Sequence, residues 1–437
     1  MERSTGLEWL FALQPFGIKL GLHNIEGLLS RLGNPHHGLT CVHVAGTNGK
    51  GSVSLLLSEI CRHSGYRVGL YTSPHLHDFN ERIRINGDPL PELELAELLE
   101  EVRRAAAGIP VTFFEAATAL ALLAFRRLGV DIAVIETGMG GRLDATNVVR
   151  PKLCCITPVG LDHQEHLGET LAAIAAEKAG IIKSGVPVVS AGQLPEADEV
   201  LAATASRLGA ELWQAGRDYH WDGNHARMRF RAPGSVLDEL ICVLQGEHQL
   251  GNFAQAIAAA LLLRQQGMTL PDEAIRRAGA AALWPGRLEW FGDPPRVLID
   301  GAHNRLGASA LATYLRSRGI GPVHLLAGLS GQRTPEEVLG PLLAVVKTLH
   351  VTPVPGVTTV PPEKLSAWAE SRGVPASTYA VPEAALAGAL AASREDEIVV
   401  VAGSLYLVAA VRSLLLEGQV QPSLYVGGGT KSASSGR

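Results

Sequence analysis

The chain has 437 residues, too long for one compact domain, and its 46% hydrophobic and 19% charged residues are the balance of a globular protein. A formal net charge of −5 gives no electrostatic basis for general nucleic-acid binding, so small molecules are the expected partners. Five scattered cysteines (Cys41, Cys61, Cys154, Cys155 and Cys242) form neither a C-x-x-C spacing nor a disulfide framework. No uncharged apolar run reaches the ~18 residues of a membrane span, and the N-terminal stretch lacks a basic segment followed by an apolar one. These features predict a cytoplasmic protein with no membrane association.

Short β-rich apolar runs alternate with longer helical patterns, the signature of parallel sheets wrapped by helices. In chain order the pattern predicts strands at 39–44, 68–71, 131–136, 153–157 and 186–189. Helices are predicted at 51–63, 91–107, 113–128, 169–182 and 252–266. Between about 211 and 246 the runs 225–230 and 240–244 predict an antiparallel β appendage. Gly292-Asp293-Pro294-Pro295 then breaks the periodicity and is read as a domain boundary. Beyond it a second α/β series has strands at 296–299, 323–327, 347–351 and 397–401. The Gly/Ser-rich segment 427–437 is read as a disordered tail.

The strongest motif is Gly46-Thr47-Asn48-Gly49-Lys50-Gly51-Ser52, which follows an apolar strand and opens a helix. Glycines let backbone N–H groups turn toward phosphate oxygens, and the helix N-terminus adds positive potential. Lys50 is placed to reach the β- and γ-phosphates, and the Ser52 hydroxyl a phosphate or its metal. The first glycine is closer than in G-x-x-x-x-G-K-[ST], and Gly51 separates Lys50 from Ser52. The strand–helix context still favours nucleotide binding over an ordinary glycine-rich turn. The predicted fold class is therefore α/β with two domains. Residues 1–292 form a parallel-sheet domain of the phosphate-loop type, and 296–426 a smaller Rossmann-like domain.

Further blocks follow in order: Tyr71-Thr72-Ser73-Pro74-His75-Leu76, Asn80-Glu81-Arg82-Ile83-Arg84, and Glu136-Thr137-Gly138-Met139-Gly140-Gly141-Arg142-Leu143-Asp144-Ala145-Thr146-Asn147. Then come Leu161-Asp162-His163, Glu177-Lys178-Ala179-Gly180-Ile181 and Asp300-Gly301-Ala302-His303-Asn304. Together with the shortened glycine loop, this series resembles the folylpolyglutamate synthases and the bacterial dihydrofolate synthase/folylpolyglutamate synthases, relatives of the Mur ligases. The resemblance runs from about residue 17 to about 415.

That resemblance implies ATP-dependent ligation of L-glutamate to a folate-type carboxylate, through an acyl phosphate that the glutamate amine displaces. The acceptor is dihydropteroate, a reduced folate, or both. ATP contacts fall on Gly49, Lys50, Gly51, Ser52, Asn252, Arg287 and Asp300, with ATP in a cleft between the domains. Lys50, Lys178 and His303 are the implied catalytic groups, with His303 near the phosphates. Two magnesium ions are implied, one on Ser73 and Glu136 and a second on Glu136 and His163. Glu136 has independent support, because it ends an apolar strand before a glycine-rich turn. The His163-x-x-His166 spacing would also suit zinc, but no further nitrogen or sulfur ligand stands nearby at a convincing spacing. Lys178 is implied to be carbamylated, which turns an ammonium into an anion able to sit beside magnesium.

The pterin-type substrate is placed against Leu20-Gly21-Leu22, Thr112-Phe113-Phe114-Glu115 and Arg142-Leu143-Asp144. The two phenylalanines read equally well as helix core. Lys19 departs from the residue usual before the Leu-Gly-Leu segment. Gly328 to Arg333 departs from the family's charged pattern. The rival readings are a single-activity folylpolyglutamate synthase, a Mur-type amide ligase with another acceptor, and a non-catalytic nucleotide switch. Mur ligases usually carry an extra domain before the phosphate loop, and the 45 residues ahead of Gly46 are fewer than a typical domain of at least ~50. A monomer is expected.

Overall fold

The computed structural model describes residues 5–14, 21–331 and 333–423. These residues divide into two units. The first holds the chain up to Leu244 together with His248–Leu283, and the second holds Gln245–Glu247 and the chain from Trp284.

The first unit is organised by an eight-stranded sheet. Its strands in chain order are β1 (Cys41–Ala45), β2 (Val68–Tyr71), β3 (Ile83–Ile85), β4 (Asp88–Pro89), β5 (Ile132–Glu136), β6 (Leu153–Ile156), β7 (Val188–Ser190) and β8 (Leu212–Gln214). They pair in the order β4-β3-β2-β5-β1-β6-β7-β8. From β2 to β8 neighbouring strands run parallel, and β3 and β4 add an antiparallel edge that ends on the exposed pair Asp88–Pro89. Every residue of β1, β2, β5, β6 and β7 is buried, as a parallel sheet covered on both faces requires. One apolar cluster packs the helices Glu92–Ala105 and Phe113–Arg127 on β1, β2 and β5, and another packs Leu171–Ala179 and Pro195–Arg207 on β6 and β7. The chain leaves β1 for β2 on one side and leaves β5 for β6 on the other. That reversal falls at the carboxyl ends of the central strands, the usual ligand position in such sheets.

Three further strands, β9 (His220–Asn224), β10 (Arg227–Ala232) and β11 (Ser235–Leu240), form a separate antiparallel sheet. Met228 and Phe230 point inward, while Arg227, Arg229 and Arg231 alternate outward and pair with Glu239, Asp238 and Asp222 at 2.9, 3.0 and 2.7 Å. The expected appendage is thus present but shorter. Leu212–Gln214 extends the large sheet instead, because its residues pair in parallel with β7.

In the second unit the strands are β12 (Glu289–Phe291), β13 (Val297–Ile299), β14 (Val323–Ala327), β15 (Val346–Val351), β16 (Ala376–Thr378), β17 (Val399–Ala402) and β18 (Pro422–Ser423). Their order is β16-β15-β14-β17-β13-β12-β18, parallel from β16 to β13, with β12 and β18 antiparallel. The Gly292-Asp293-Pro294-Pro295 interruption is the turn of the β12–β13 hairpin, and the division between units falls after Leu283. The physical reason is that glycine and proline punctuate tight turns as readily as linkers, and the three-residue strand before them carries too little periodicity to be seen. The tail at 427–437 and the residues before Thr5 lie outside the described residues. Among the described residues, no helix is long and apolar enough to cross a membrane.

Candidate active site

At the end of β1 the chain turns through Gly46 (φ 148°) and Gly49 (φ 88°) into the helix Lys50–His63. Both glycines are required by their dihedrals and by their surroundings. A side chain on Gly46 would collide with the Thr157 hydroxyl, and one on Gly49 would come within 2.6 Å of Asn252 Oδ1. The Thr47 and Asn48 amides donate to the Pro158 carbonyl at 2.9 and 3.3 Å, so the loop is tied to the segment after β6. Thr47 Oγ1 adds a bond to Gly160 O at 3.1 Å. Lys50 Nζ donates to Thr47 O at 3.1 Å, which folds the ammonium back over the loop. Ser52 lies buried on the first helical turn, and Asn252 is buried beside Gly49, with its amide donating to Gln249 Oε1 at 2.9 Å.

Lys178 projects from the helix Leu171–Ala179 to the same place. Its side chain is 3% exposed, and Nζ donates to Gly46 O at 2.8 Å. Burial, reinforced by Lys50, pushes its pKa down to about 7, against the opposing pull of Asp162 and Asp144. The glycine loop after β5 explains how Lys178 comes so close. A Cβ on Gly141 would lie 2.9 Å from the carbonyl oxygens of Glu177 and Lys178, so only glycine lets this loop lie against that helix. Arg142 seals the contact with N–H to Glu177 O at 2.7 Å and a 2.8 Å ion pair to the Glu177 carboxylate.

Glu136 ends β5 beside β1, with Val44 as its register partner. Its buried carboxylate accepts the Ser73 amide at 3.1 Å, so the chain after β2 and the end of β5 meet. His163 caps a short helix in the left-handed region (φ 51°), 40% exposed, with Asp162 3.9 Å away. Among the described residues no group of three or more His, Cys, Asp or Glu forms a metal cage. A hard cation held by one carboxylate, a hydroxyl, substrate phosphates and water needs no such cage, and Glu136 with Ser73 fits that donor set.

The expected substrate residues have mixed surroundings. Thr112 and Glu115 form a reciprocal cap on the helix Phe113–Arg127: Thr112 N donates to Glu115 Oε2 at 2.7 Å and Glu115 N to Thr112 Oγ1 at 3.2 Å. Phe113 joins an aromatic cluster with Phe11 and Phe79, at 5.8 and 6.0 Å between ring centroids, and the Arg82 guanidinium lies 5.1 Å over it. Phe114 lies against Gly138, where any Cβ would strike its ring. Asp144 is buried, with Oδ1 accepting Thr146 N at 3.0 Å and Oδ2 accepting Met139 N at 2.9 Å. Leu143 is half-buried in the same loop. Gly21 takes φ 144° and Leu22 precedes the helix His23–Arg31, whereas Lys19 and Leu20 lie outside the described residues.

Within the second unit, Arg287, Asp300 and His303 come together at the end of β13. The Arg287 guanidinium packs on Gly301, leaving no room for a side chain there. Asp300 accepts the amides of Leu288 and Ala302, each at 2.9 Å, and burial raises its pKa against the pull of Arg287. His303 Nδ1 lies 2.8 Å from Gly301 O. Three residues outside the expected set, His43, Thr146 and Thr157, also stand at the central strands of the first unit. His43 carries its own signal, a lone imidazole inside the apolar run of β1.

The Mur ligase middle domain family matches residues 44–260, and the Mur ligase, glutamate ligase domain family matches 286–405. The chain is 38% identical over 422 residues to a folylpolyglutamate synthase of Lacticaseibacillus casei, spanning 92% of this chain and 96% of that protein. It is 33% identical over 413 residues to the dihydrofolate synthase/folylpolyglutamate synthase of Escherichia coli strain K12, spanning 94% and 95%. A solved FPGS-AMPPCP-folate complex superposes with a TM-score of 0.84 at 36% identity, covering 95% of this chain and 100% of that one.

Proposed function

The chain belongs to the folylpolyglutamate synthase family, and we infer from that premise and from the site's geometry that it is an ATP-dependent ligase joining glutamate to a folate-type carboxylate. The observation that carries this reading is the convergence of two lysines on the glycine loop at the end of β1. Lys50 and Lys178 are both held by backbone carbonyls of the glycine loop, where a polyphosphate would lie on the helix N-terminus.

The reaction needs no protein nucleophile. The folate carboxylate attacks the γ-phosphorus of ATP, ADP leaves, and the glutamate amine then displaces phosphate from the acyl phosphate to form the amide. The loop amides and Lys50 hold the transferring phosphoryl group and oppose its charge, so positioning and electrostatics supply the catalysis. Ser73 and Glu136 would hold one magnesium ion, with Glu136 and His163 at a second; bound magnesium neutralises phosphate charge. Asn252, Arg287 and His303 are assigned to the nucleotide, with Asn252 supported by its contact beside Gly49, and Asp300 serves the nucleotide side by fixing the turn that carries Arg287 and His303. We assign Phe113, Phe114, Arg142 and Leu143 to the pterin side. Thr112, Glu115 and Asp144 shape that side through the backbone bonds they make.

Lys178 is assigned as a carbamate. The modification requires a neutral amine, and an ammonium buried beside Lys50 loses its proton near neutrality. Both dihydropteroate and tetrahydrofolate are assigned as acceptors, in keeping with the double name of the E. coli relative. A cytoplasmic monomer is assigned as well; the five buried free cysteines accord with a reducing compartment. The deciding experiment is a substrate panel. Phosphate release from ATP should require glutamate together with a folate or dihydropteroate. Release independent of both would leave only a nucleotide hydrolase, and extension of tetrahydrofolate without use of dihydropteroate would leave a single-activity synthase.

A further inference from the structure

His43 stands in the middle of β1, fully buried, between apolar neighbours. An imidazole at such a position costs desolvation, and among the described residues its Nδ1 has no hydrogen-bond partner. Its other nitrogen, Nε2, lies 2.8 Å from Thr146 Oγ1. The Thr146 hydroxyl in turn donates to Asp144 Oδ1 at 2.5 Å, and the Thr146 amide donates to the same oxygen at 3.0 Å. The remaining oxygen, Oδ2, takes the Met139 amide at 2.9 Å. Met139 belongs to the glycine loop between Glu136 and Arg142, the loop that lies against the backbone of Lys178.

The chain of bonds has a direction. Thr146 has one hydroxyl proton, and the carboxylate takes it. The contact with His43 therefore needs the proton on Nε2, which leaves Nδ1 as a bare acceptor, a cheaper orphan in an apolar wall than an N–H. Burial, and after it the charge of Lys183, pushes the His43 pKa down to about 3; the Lys183 ammonium is fastened to Asn147 Oδ1 at 2.8 Å. The imidazole is thus a fixed neutral donor.

We infer that His43 is a positioning residue for ligation: through Thr146 it orients the Asp144 carboxylate, which fastens the glycine loop that follows Glu136 and bears on Lys178. The inference rests on the ligase reading. It explains why β1 keeps a costly imidazole where an aliphatic side chain would pack without penalty.

The test compares His43→Leu, Thr146→Val, their double variant and His43→Gln, with kcat and KM measured for ATP, glutamate and folate. His43→Leu and Thr146→Val should each lower kcat about tenfold with the KM for ATP unchanged. The double variant should be no worse than either single one, because both break one chain. His43→Gln, which retains a donor, should recover most of the loss. Full kcat in Thr146→Val, or losses that multiply in the double variant, would overturn the inference, and this holds even where His43→Leu fails to fold. In the wild-type protein, 15N spectra at pH 5 should show His43 neutral with its proton on Nε2; a proton on Nδ1 would overturn the direction and with it the positioning role. A wild-type chain that forms no amide with any folate would sink the ligase reading itself, whereas an active wild type with unaffected variants sinks the positioning role alone.

Discussion

The carboxyl ends of β1 and β13 use the same kinds of group in opposite ways. At β1 two lysine side chains are held by carbonyl oxygens, Lys50 on Thr47 and Lys178 on Gly46, and among the described residues neither has a carboxylate at ion-pair distance. At β13 a carboxylate is held by amides, since both oxygens of Asp300 are taken by the N–H groups of Leu288 and Ala302. A carbonyl fixes a cation's position without cancelling its charge, so the Lys50 ammonium stays electrostatically open to a polyphosphate. The second spends its carboxylate on the shape of its own turn, and what it presents outward is the Arg287 and His303 side of that turn. The difference teaches that a matching motif marks where a charged residue lies, and its hydrogen bonds set how much of its charge is left for a ligand.

The largest test of that contrast is Lys50→Ala. Ligation should fall on the order of a thousandfold with circular dichroism unchanged, because the charge is used on the phosphoryl group and not in folding. Turnover near that of the wild type in a folded variant would break the comparison at its first term.

Lys178→Ala should cost nearly as much, on the order of a hundredfold or more, and added acetate should restore part of the activity by standing in for a carbamate. The pH dependence has a definite sign. The amine is pushed down to about 7, so above that value it is neutral and reactive, and below it the proton blocks attack on carbon dioxide. After removal of carbon dioxide, reactivation at a fixed concentration of dissolved carbon dioxide should slow about tenfold per pH unit below about 7 and level off above it. A reactivation rate that ignores pH between 5 and 8 would remove the carbamate.

Glu136→Ala should raise the magnesium needed for half-maximal activity about tenfold or more, as loss of a metal carboxylate does. An unchanged titration takes Glu136 out of the metal site. The smallest effect on turnover, and the one that sharpens the contrast, is Asp300→Ala. It orphans two amides, so the loss should appear as about 1–3 kcal/mol of stability, read as a lowered Tm, with a smaller change in kcat than either lysine variant gives. A large kcat loss without any drop in Tm would show that the Asp300 charge is used on substrate after all.

Much of the strand layout of both units is legible in the sequence because buried parallel strands are uniform apolar runs. Val68–Tyr71 and Val323–Ala327 coincide with their expected bounds, and the β1, β5 and β6 runs differ at their ends by one or two residues. Short antiparallel strands are not legible: β12 is a three-residue arm of a hairpin, and β18 pairs with it from the far end of the second unit, which local periodicity cannot report. The same limit applies to the site. The glycine loop announces itself, since closely spaced glycines between an apolar strand and a helix have few other uses, but the path from His43 through Thr146 to Asp144 joins residues 103 positions apart and exists only after β1 has found its neighbours. Thr112 and Glu115 show the converse. Their spacing is that of a capping box, and the structure uses it as one.

The two-residue strand β4 has a consequence at the level of solubility. A large open sheet ends in a row of unsatisfied amides and carbonyls, a template on which a second molecule can add its own strand. Here that border is closed by Asp88, an exposed charge, and Pro89, which has no N–H to offer. The same two residues that stop the sheet from growing within one molecule stop it from growing between molecules. The central strands, apolar throughout and prone to stick if they met their like, are thereby kept from templating fibrils along that border as the chain accumulates in a crowded solution.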